Sequence, residues 1–153
     1  MEDLKIDASN IVIGLNAISS EDALSQLADL MQNNGYVRHS YKEAVINREN
    51  TFATGLPTVY CSVAIPHTDI EHVYQKTIGV AVLKETVPFV IMGETEETTD
   101  VKLIFMLAMD KEDTQLSLLQ KLMHIFQNDQ LLKSIATSQD KTHIASIIEK
   151  ALV

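Results

Sequence analysis

Leu24, Leu27, Ala28 and Met31 recur at intervals of three and four, the period of one helix face, and Ser19 ahead of them is a residue type that caps a helix start. The pattern predicts an amphipathic helix that stops near Gly35, preceded by a short apolar segment, Ile11–Leu15. A second helix is predicted to open at Ser40, where Glu43 three residues on completes a capping-box signature; it runs through Ala44 and Val45 and fades around Arg48–Asn50. The period then changes. Val59–Ile65, Thr77–Leu83, Val87–Ile91 and Val101–Met109 are short β-branched and apolar runs separated by polar or turn residues, the pattern of strands. Between the last two lies GETEETTD, whose Glu94, Glu96, Glu97 and Asp100 read as a solvated hairpin loop without chemistry. Helical spacing returns from Asp113 or Thr114 through Leu116, Leu119, Leu122, Met123 and Phe126, and again over Leu131–Ala136 and His143–Leu152.

Helices, then strands, then helices favour an α/β sandwich in which helices cover both faces of a mixed sheet, because Val101–Met109 is apolar on both faces and needs cover on both. No repeat, linker or long single-sign run divides the chain, so residues 1–153 are expected to form one domain. Twelve Lys and Arg against 21 Asp and Glu leave a formal charge of −9, which repels a phosphate backbone and excludes nucleic acid as the expected partner. The acidic start MEDLKIDASN has no signal-peptide pattern, and no apolar run approaches the roughly 18 residues of a membrane span. One cysteine, Cys61, forms no intrachain disulfide; a reducing compartment, the cytoplasm, is the expectation.

The candidate chemistry centres on His67, which ends the run Val63-Ala64-Ile65-Pro66-His67 and precedes Thr68 and Asp69. Pro66 holds Ile65 extended and removes a donor, so the strand ends there and His67 emerges at its carboxyl end, the edge where ligands gather in α/β sheets. Position alone leaves two readings: a partner-facing imidazole, or a loop histidine satisfied by carbonyls.

The segment Ala64-Ile65-Pro66-His67 resembles the active-site strand of IIA components of the bacterial sugar phosphotransferase system, in the fructose/mannitol superfamily. Gly35-Tyr36-Val37, Tyr41, Arg48-Glu49 and Thr54-Gly55 upstream, with Leu116, Leu118, Leu119 and Leu122 downstream, are similar to the family's pattern in order and spacing, from about Ile11 to Leu152. Mannitol-type members carry a second histidine where this chain has Gln115, and Cys61-Ser62-Val63 stands where a glycine is usual. Both departures look like the galactitol-type branch.

The resemblance implies a phosphohistidine relay in which His67 accepts a phosphoryl group on Nε2 from the carrier HPr and passes it to a IIB component working with a membrane IIC, for uptake of a sugar or polyol. Arg48 matches the family's active-site arginine, and a planar guanidinium grips two phosphoryl oxygens in a fork. An arginine near a helix exit is equally at home as a solvated surface charge. Gln115, near a helix start, would offer an amide to the phosphoryl group, and Thr54 matches a hydroxyl position close to the site; the alternatives are a first-turn polar residue and a turn residue. No cofactor or metal is implied: His72 lies five residues from His67, and no CxxC or HExxH accompanies it. His39, His124 and His143 are expected at the surface, Cys61 as a small buried hydrophobe in its strand, and Met92, Met106 and Met109 as core filler. Two rival readings stand beside the relay. One is a regulatory IIA-like module whose phosphorylation state signals without transport. The other is a hydrolase with His67 as base and Thr54 or Ser62 as nucleophile, which lacks a GxSxG-type elbow.

Overall fold

Ser19 caps the first helix, α1 (Ser20–Asn33), its Oγ accepting the Asp22 N–H at 3.0 Å. Just past the helix end Gly35 takes φ +83°, a left-handed conformation that glycine adopts without a Cβ clash. The structure is a computed structural model that describes residues 4–153, so the first three residues of the acidic start lie outside the described residues. Strands within it form one sheet in the order β1 (Ile11–Leu15), β4 (Thr77–Val90), β5 (Thr98–Ala108), β3 (Ser62–Ala64) and β2 (Gly55–Leu56). The strands of the pairs β1–β4 and β3–β5 run parallel, while those of β4–β5 and β2–β3 are antiparallel, which makes the sheet mixed as expected.

Helices cover both faces. Leu24, Leu27 and Met31 of α1, with Tyr41 and Val45 of α2 (Tyr41–Thr51), pack on Ala81, Leu83, Ile104 and Met106. On the other face Leu118 and Leu122 of α3 (Glu112–Ile125), Leu132 and Ile135 of α4 (Asp129–Thr137) and Ile144 and Ile148 of α5 (Lys141–Leu152) meet Val80, Val82, Phe105 and Leu107. Strand β5 thus alternates between two dry interfaces, which is why its sequence is apolar at every position from Leu103 to Ala108.

Several expectations need correction. Thr77–Leu83 and Val87–Ile91 are not separate strands but one, β4; Val82 faces Leu103 and Val87 faces Val101, so the polar residues between them bulge out instead of turning. Lys102 fastens the bulge by donating to the carbonyls of Leu83 (2.6 Å) and Lys84 (3.4 Å). Val59–Ile65 shrinks to β3, leaving Val59 91% exposed and Cys61 half-buried ahead of the strand, its thiol pushed up in pKa by burial. Ser40 does not cap α2. Its own backbone is already helical, which turns the hydroxyl away from the first-turn amides and onto His72 Nδ1 at 2.8 Å. In α3 Leu116 (59% exposed) and Met123 (39%) face solvent, and Leu118 and Leu122 are the buried pair; Met92 is likewise exposed, unlike Met106 and Met109. His39, His124 and His143 are exposed as expected.

One buried hydrogen bond ties the two halves of the site's scaffold together. Tyr41 is wholly buried and its hydroxyl donates to the Leu107 carbonyl at 2.6 Å, while the Leu107 N–H donates to the Pro66 carbonyl at 3.0 Å. Burial pushes the phenol pKa far up, so Tyr41 stays a protonated donor. Tyr41→Phe strands that carbonyl in an apolar core and is expected to cost about 1–3 kcal/mol, read as a lower urea midpoint with an unchanged slope.

Candidate functional site

His67 lies three residues after the end of β3, where the Ile65-Pro66 backbone still runs beside β5. Its Nδ1 lies 2.8 Å from the Ile65 carbonyl oxygen. A carbonyl only accepts, so Nδ1 carries the proton and Nε2 keeps its lone pair. The ring is half-buried, and that burial pushes its pKa below the ordinary 6.5; the Ile65 bond and Asp69 pull it back up, and the Arg48 charge adds to the lowering. His67 is therefore a neutral imidazole at neutral pH, with one defined nucleophilic nitrogen.

Arg48 reaches the same place from the last turn of α2. Its guanidinium carbon sits 5.1 Å from the centroid of the Phe52 ring, and its Nε is buried without a hydrogen-bond partner. Phe52, the residue that ends the helix, is 61% exposed. A buried donor with nothing to donate to is costly unless a ligand arrives to accept, and the neighbouring positive charge fits an anionic one.

Gln115 lies four residues into α3, so its own N–H is already bonded to the Lys111 carbonyl and only its side chain is left to act. The side-chain Nε2 donates to the Thr68 carbonyl at 3.4 Å, one residue beyond His67, and Oε1 is buried without a partner. Thr54 is held by a carboxylate of its own chain. Its hydroxyl donates to Glu49 Oε1 and its N–H to Glu49 Oε2, both at 2.7 Å, so its proton is committed within the protein. Ser62 Oγ pairs with Thr99 Oγ1. Neither hydroxyl donates to His67, which removes the nucleophile–base geometry that the hydrolase reading requires.

Thus the Arg48 charge acts on His67, Gln115 reaches the Thr68 carbonyl beside it, and Thr54 is bonded to Glu49, the residue next to Arg48. Sequence reasoning passed over Glu49, Tyr41 and Phe52 as individual contributors; only their place in a family-like pattern marked the first two. A groove of about 590 Å³ between Leu56, Pro57, Val59, Met123 and Phe126 is lined by none of the candidate residues. His72 is engaged with Ser40, and among the described residues no group of three or more His, Cys, Asp and Glu side chains is placed to hold a metal ion. No helix among them is long and apolar enough to cross a membrane.

A mixed sheet with helices on both faces is the architecture this chain shares with solved mannitol IIA. The chain belongs to the EIIA 2 family of the phosphoenolpyruvate-dependent sugar phosphotransferase system, whose family model matches residues 5–151. Among curated proteins it is 24% identical over 144 residues to the fructose-specific EIIABC component of Bacillus subtilis, a match covering 92% of this chain and 22% of that protein. It is 25% identical over 126 residues to the galactitol-specific EIIA component of Escherichia coli K12, covering 81% of this chain and 82% of that one. A third match, 33% identical over 90 residues, is to the transcriptional regulator ManR of Bacillus subtilis and covers 59% of this chain and 12% of that protein. The chain thus spans about a fifth and an eighth of two of these relatives and most of the galactitol protein. In fold it is similar to the mannitol IIA of Escherichia coli, with a TM-score of 0.75 at 20% identity over 98% of this chain and 100% of that one. The same holds for IIA mannitol in complex with phosphorylated IIB from that organism, at 0.73, 21% identity and 97% of each chain.

Proposed function

We propose that residues 1–153 act as one EIIA 2-type phosphocarrier domain, in which His67 accepts a phosphoryl group from phosphorylated HPr and passes it to a IIB component. The observation that carries this reading is the Nδ1–Ile65 bond, which leaves Nε2 as the free nucleophile beside Arg48. In the accepting step the Nε2 lone pair forms the new P–N bond as the P–N bond to the donor histidine breaks, and the donor ring recovers its electron pair. No proton has to move. The ring gains positive charge, which the Nδ1–H spreads onto the Ile65 carbonyl, and the Arg48 fork balances charge on the phosphoryl oxygens. Because Nδ1 keeps its proton, His67 leaves as a neutral imidazole in the next transfer, so the bond stays labile enough to hand the group on. Neither a metal nor a cofactor is needed, and the reaction belongs in the cytoplasm, where these donor and acceptor proteins meet.

The cargo inferred for the system is a polyol of the galactitol kind, taken up through a IIB and a membrane IIC. Gln115 at the position of the mannitol-type second histidine supports this, as does a galactitol EIIA relative matched over most of both lengths. The ManR match favours a second reading, a regulatory IIA-like module, and a transcription regulator encoded beside it in place of IIB and IIC would select that one. The direct test is incubation with phosphoenolpyruvate, enzyme I and HPr followed by peptide mapping. An acid-labile phosphoryl group on His67 is expected, and one on any other residue discards the assignment.

Gln115 supplies a finer test. If its amide turns to the bound phosphoryl group, Gln115→Leu removes a charge-assisted bond worth roughly 1.5–3 kcal/mol, or about ten- to hundredfold in transfer rate or phosphohistidine lifetime. Melting temperature should not fall, since Gln115 Oε1 is unpaired and Nε2 makes only a long bond. Gln115→His should be tolerated, as an imidazole nitrogen donates from a similar reach. Unchanged transfer in Gln115→Leu would remove the argument for the galactitol branch while leaving His67 and Arg48 in place.

A further inference from the structure

Thr54 raises a question that the relay does not answer: a hydroxyl at the family's site position spends its proton on a carboxylate of its own chain. Glu49 follows Arg48 directly, and Thr54 precedes Gly55, the first residue of β2. Gly55 pairs with Ala64 across the β2–β3 ladder, and Ala64 is three residues from His67. A continuous frame therefore runs from Arg48 through the Glu49 carboxylate to Thr54, then through Gly55 and Ala64 to the histidine. Gly55 fits tightly in this frame, since a Cβ there would come within 2.6 Å of the Val90 carbonyl oxygen. Its own carbonyl accepts the Met92 N–H at 2.8 Å. The weak point of such a frame is the three-residue step from helix to strand, residues 52–54, and both carboxylate oxygens of Glu49 close it.

We propose that Glu49 and Thr54 are positioning residues for Arg48: the carboxylate takes both of Thr54's donors and so fixes where α2 ends relative to the strand that carries His67. Thr54 in this account never touches the phosphoryl group. The pair sets the separation across which the transferred group sits between the guanidinium and Nε2, and transfer is steep in that separation. Burial raises the Glu49 pKa and the two Thr54 bonds oppose the rise, so the carboxylate depends on Thr54 as much as the loop depends on the carboxylate.

The inference rests on the phosphocarrier reading, and its test begins with wild-type protein in the presence of phosphoenolpyruvate, enzyme I and HPr. Failure of the wild type to label His67 rejects that reading, and the positioning role with it. With labelling established, Thr54→Val is expected to slow kcat about ten- to hundredfold while KM for phosphorylated HPr holds, because geometry and not docking is lost. Thr54→Ser keeps the hydroxyl and should restore the rate. The decisive comparison repeats Thr54→Val in an Arg48→Ala background. If Thr54 acts through Arg48, the second substitution adds nothing there. A wild-type rate in Thr54→Val overturns the proposal, as does an equal loss in both backgrounds or a change in KM alone. Should Thr54→Val fail to fold because Glu49 Oε1 loses its hydroxyl partner while Oε2 keeps the backbone N–H, the Glu49→Gln/Thr54→Val variant carries no buried charge and enters the same comparison. If that variant also fails to fold, the pair is a stability element and the positioning role is wrong.

Discussion

His67→Ala will take up no phosphoryl group, and no other histidine will stand in for it. The expectation follows from what surrounds each ring. His72 has its Nδ1 engaged with Ser40, a hydroxyl that can donate or accept and so leaves its tautomer open, while His39, His124 and His143 lie exposed. Only His67 combines a fixed tautomer, a half-buried ring and a neighbouring guanidinium. The pH dependence adds a second signature. Since burial holds the folded pKa below 6.5, the neutral nucleophile persists as pH falls through 6.5, and transfer should decline only at lower pH, where an exposed imidazole would already be mostly charged. Stability moves the other way from a histidine in an ion pair: the unfolded ring binds protons first, so acidification through 6.5 favours unfolding. A rate that halves near 6.5 in single-turnover transfer would show that the environment does not tune the ring. Residual labelling in His67→Ala would remove the residue from the mechanism altogether.

What the sequence made legible was local in origin. Ser19 caps α1 because the signal for a cap and the helix it opens lie within a few residues, and the end of β3 is legible because Pro66 acts on its own neighbours. The misses are tertiary. Ser40 has the right side chain for a cap, but the chain enters α2 already helical and His72, 32 residues on, takes the hydroxyl. Lys84-Glu85-Thr86 looks like a break between strands, and Lys102 from the facing strand turns it into a bulge. In α3 the apolar residues are too many to mark one stripe, so the roll of the helix decides that Leu118 and Leu122 go in while Leu116 and Met123 stay out. Glu49 and Thr54 show the same limit at the site itself. An acid five residues before a threonine has no signature of its own, and their bond exists only because α2 and β2 are placed by the sheet.

Arg48→Lys will slow phosphoryl transfer while leaving the fold as stable as before, and Arg48→Ala will slow it much further. Lysine keeps the positive charge, so the long-range part of the attraction survives; it loses the fork that binds two oxygens at once and the planar group that lies against the Phe52 ring. Removing one well-placed donor from a charge-stabilising site typically costs about 10²–10³ in rate, which sets the scale for alanine, with lysine at roughly tenfold. Stability should be indifferent or slightly better, because the Nε that is buried without a partner disappears in both variants. That opposition separates an active-site arginine from a helix-end surface charge: the surface role predicts a small loss of stability from the helix dipole and no loss of rate. Transfer from phosphorylated HPr measured alongside thermal melts decides between them, and rates in Arg48→Ala equal to wild type would return Arg48 to the surface and leave His67 to work without it.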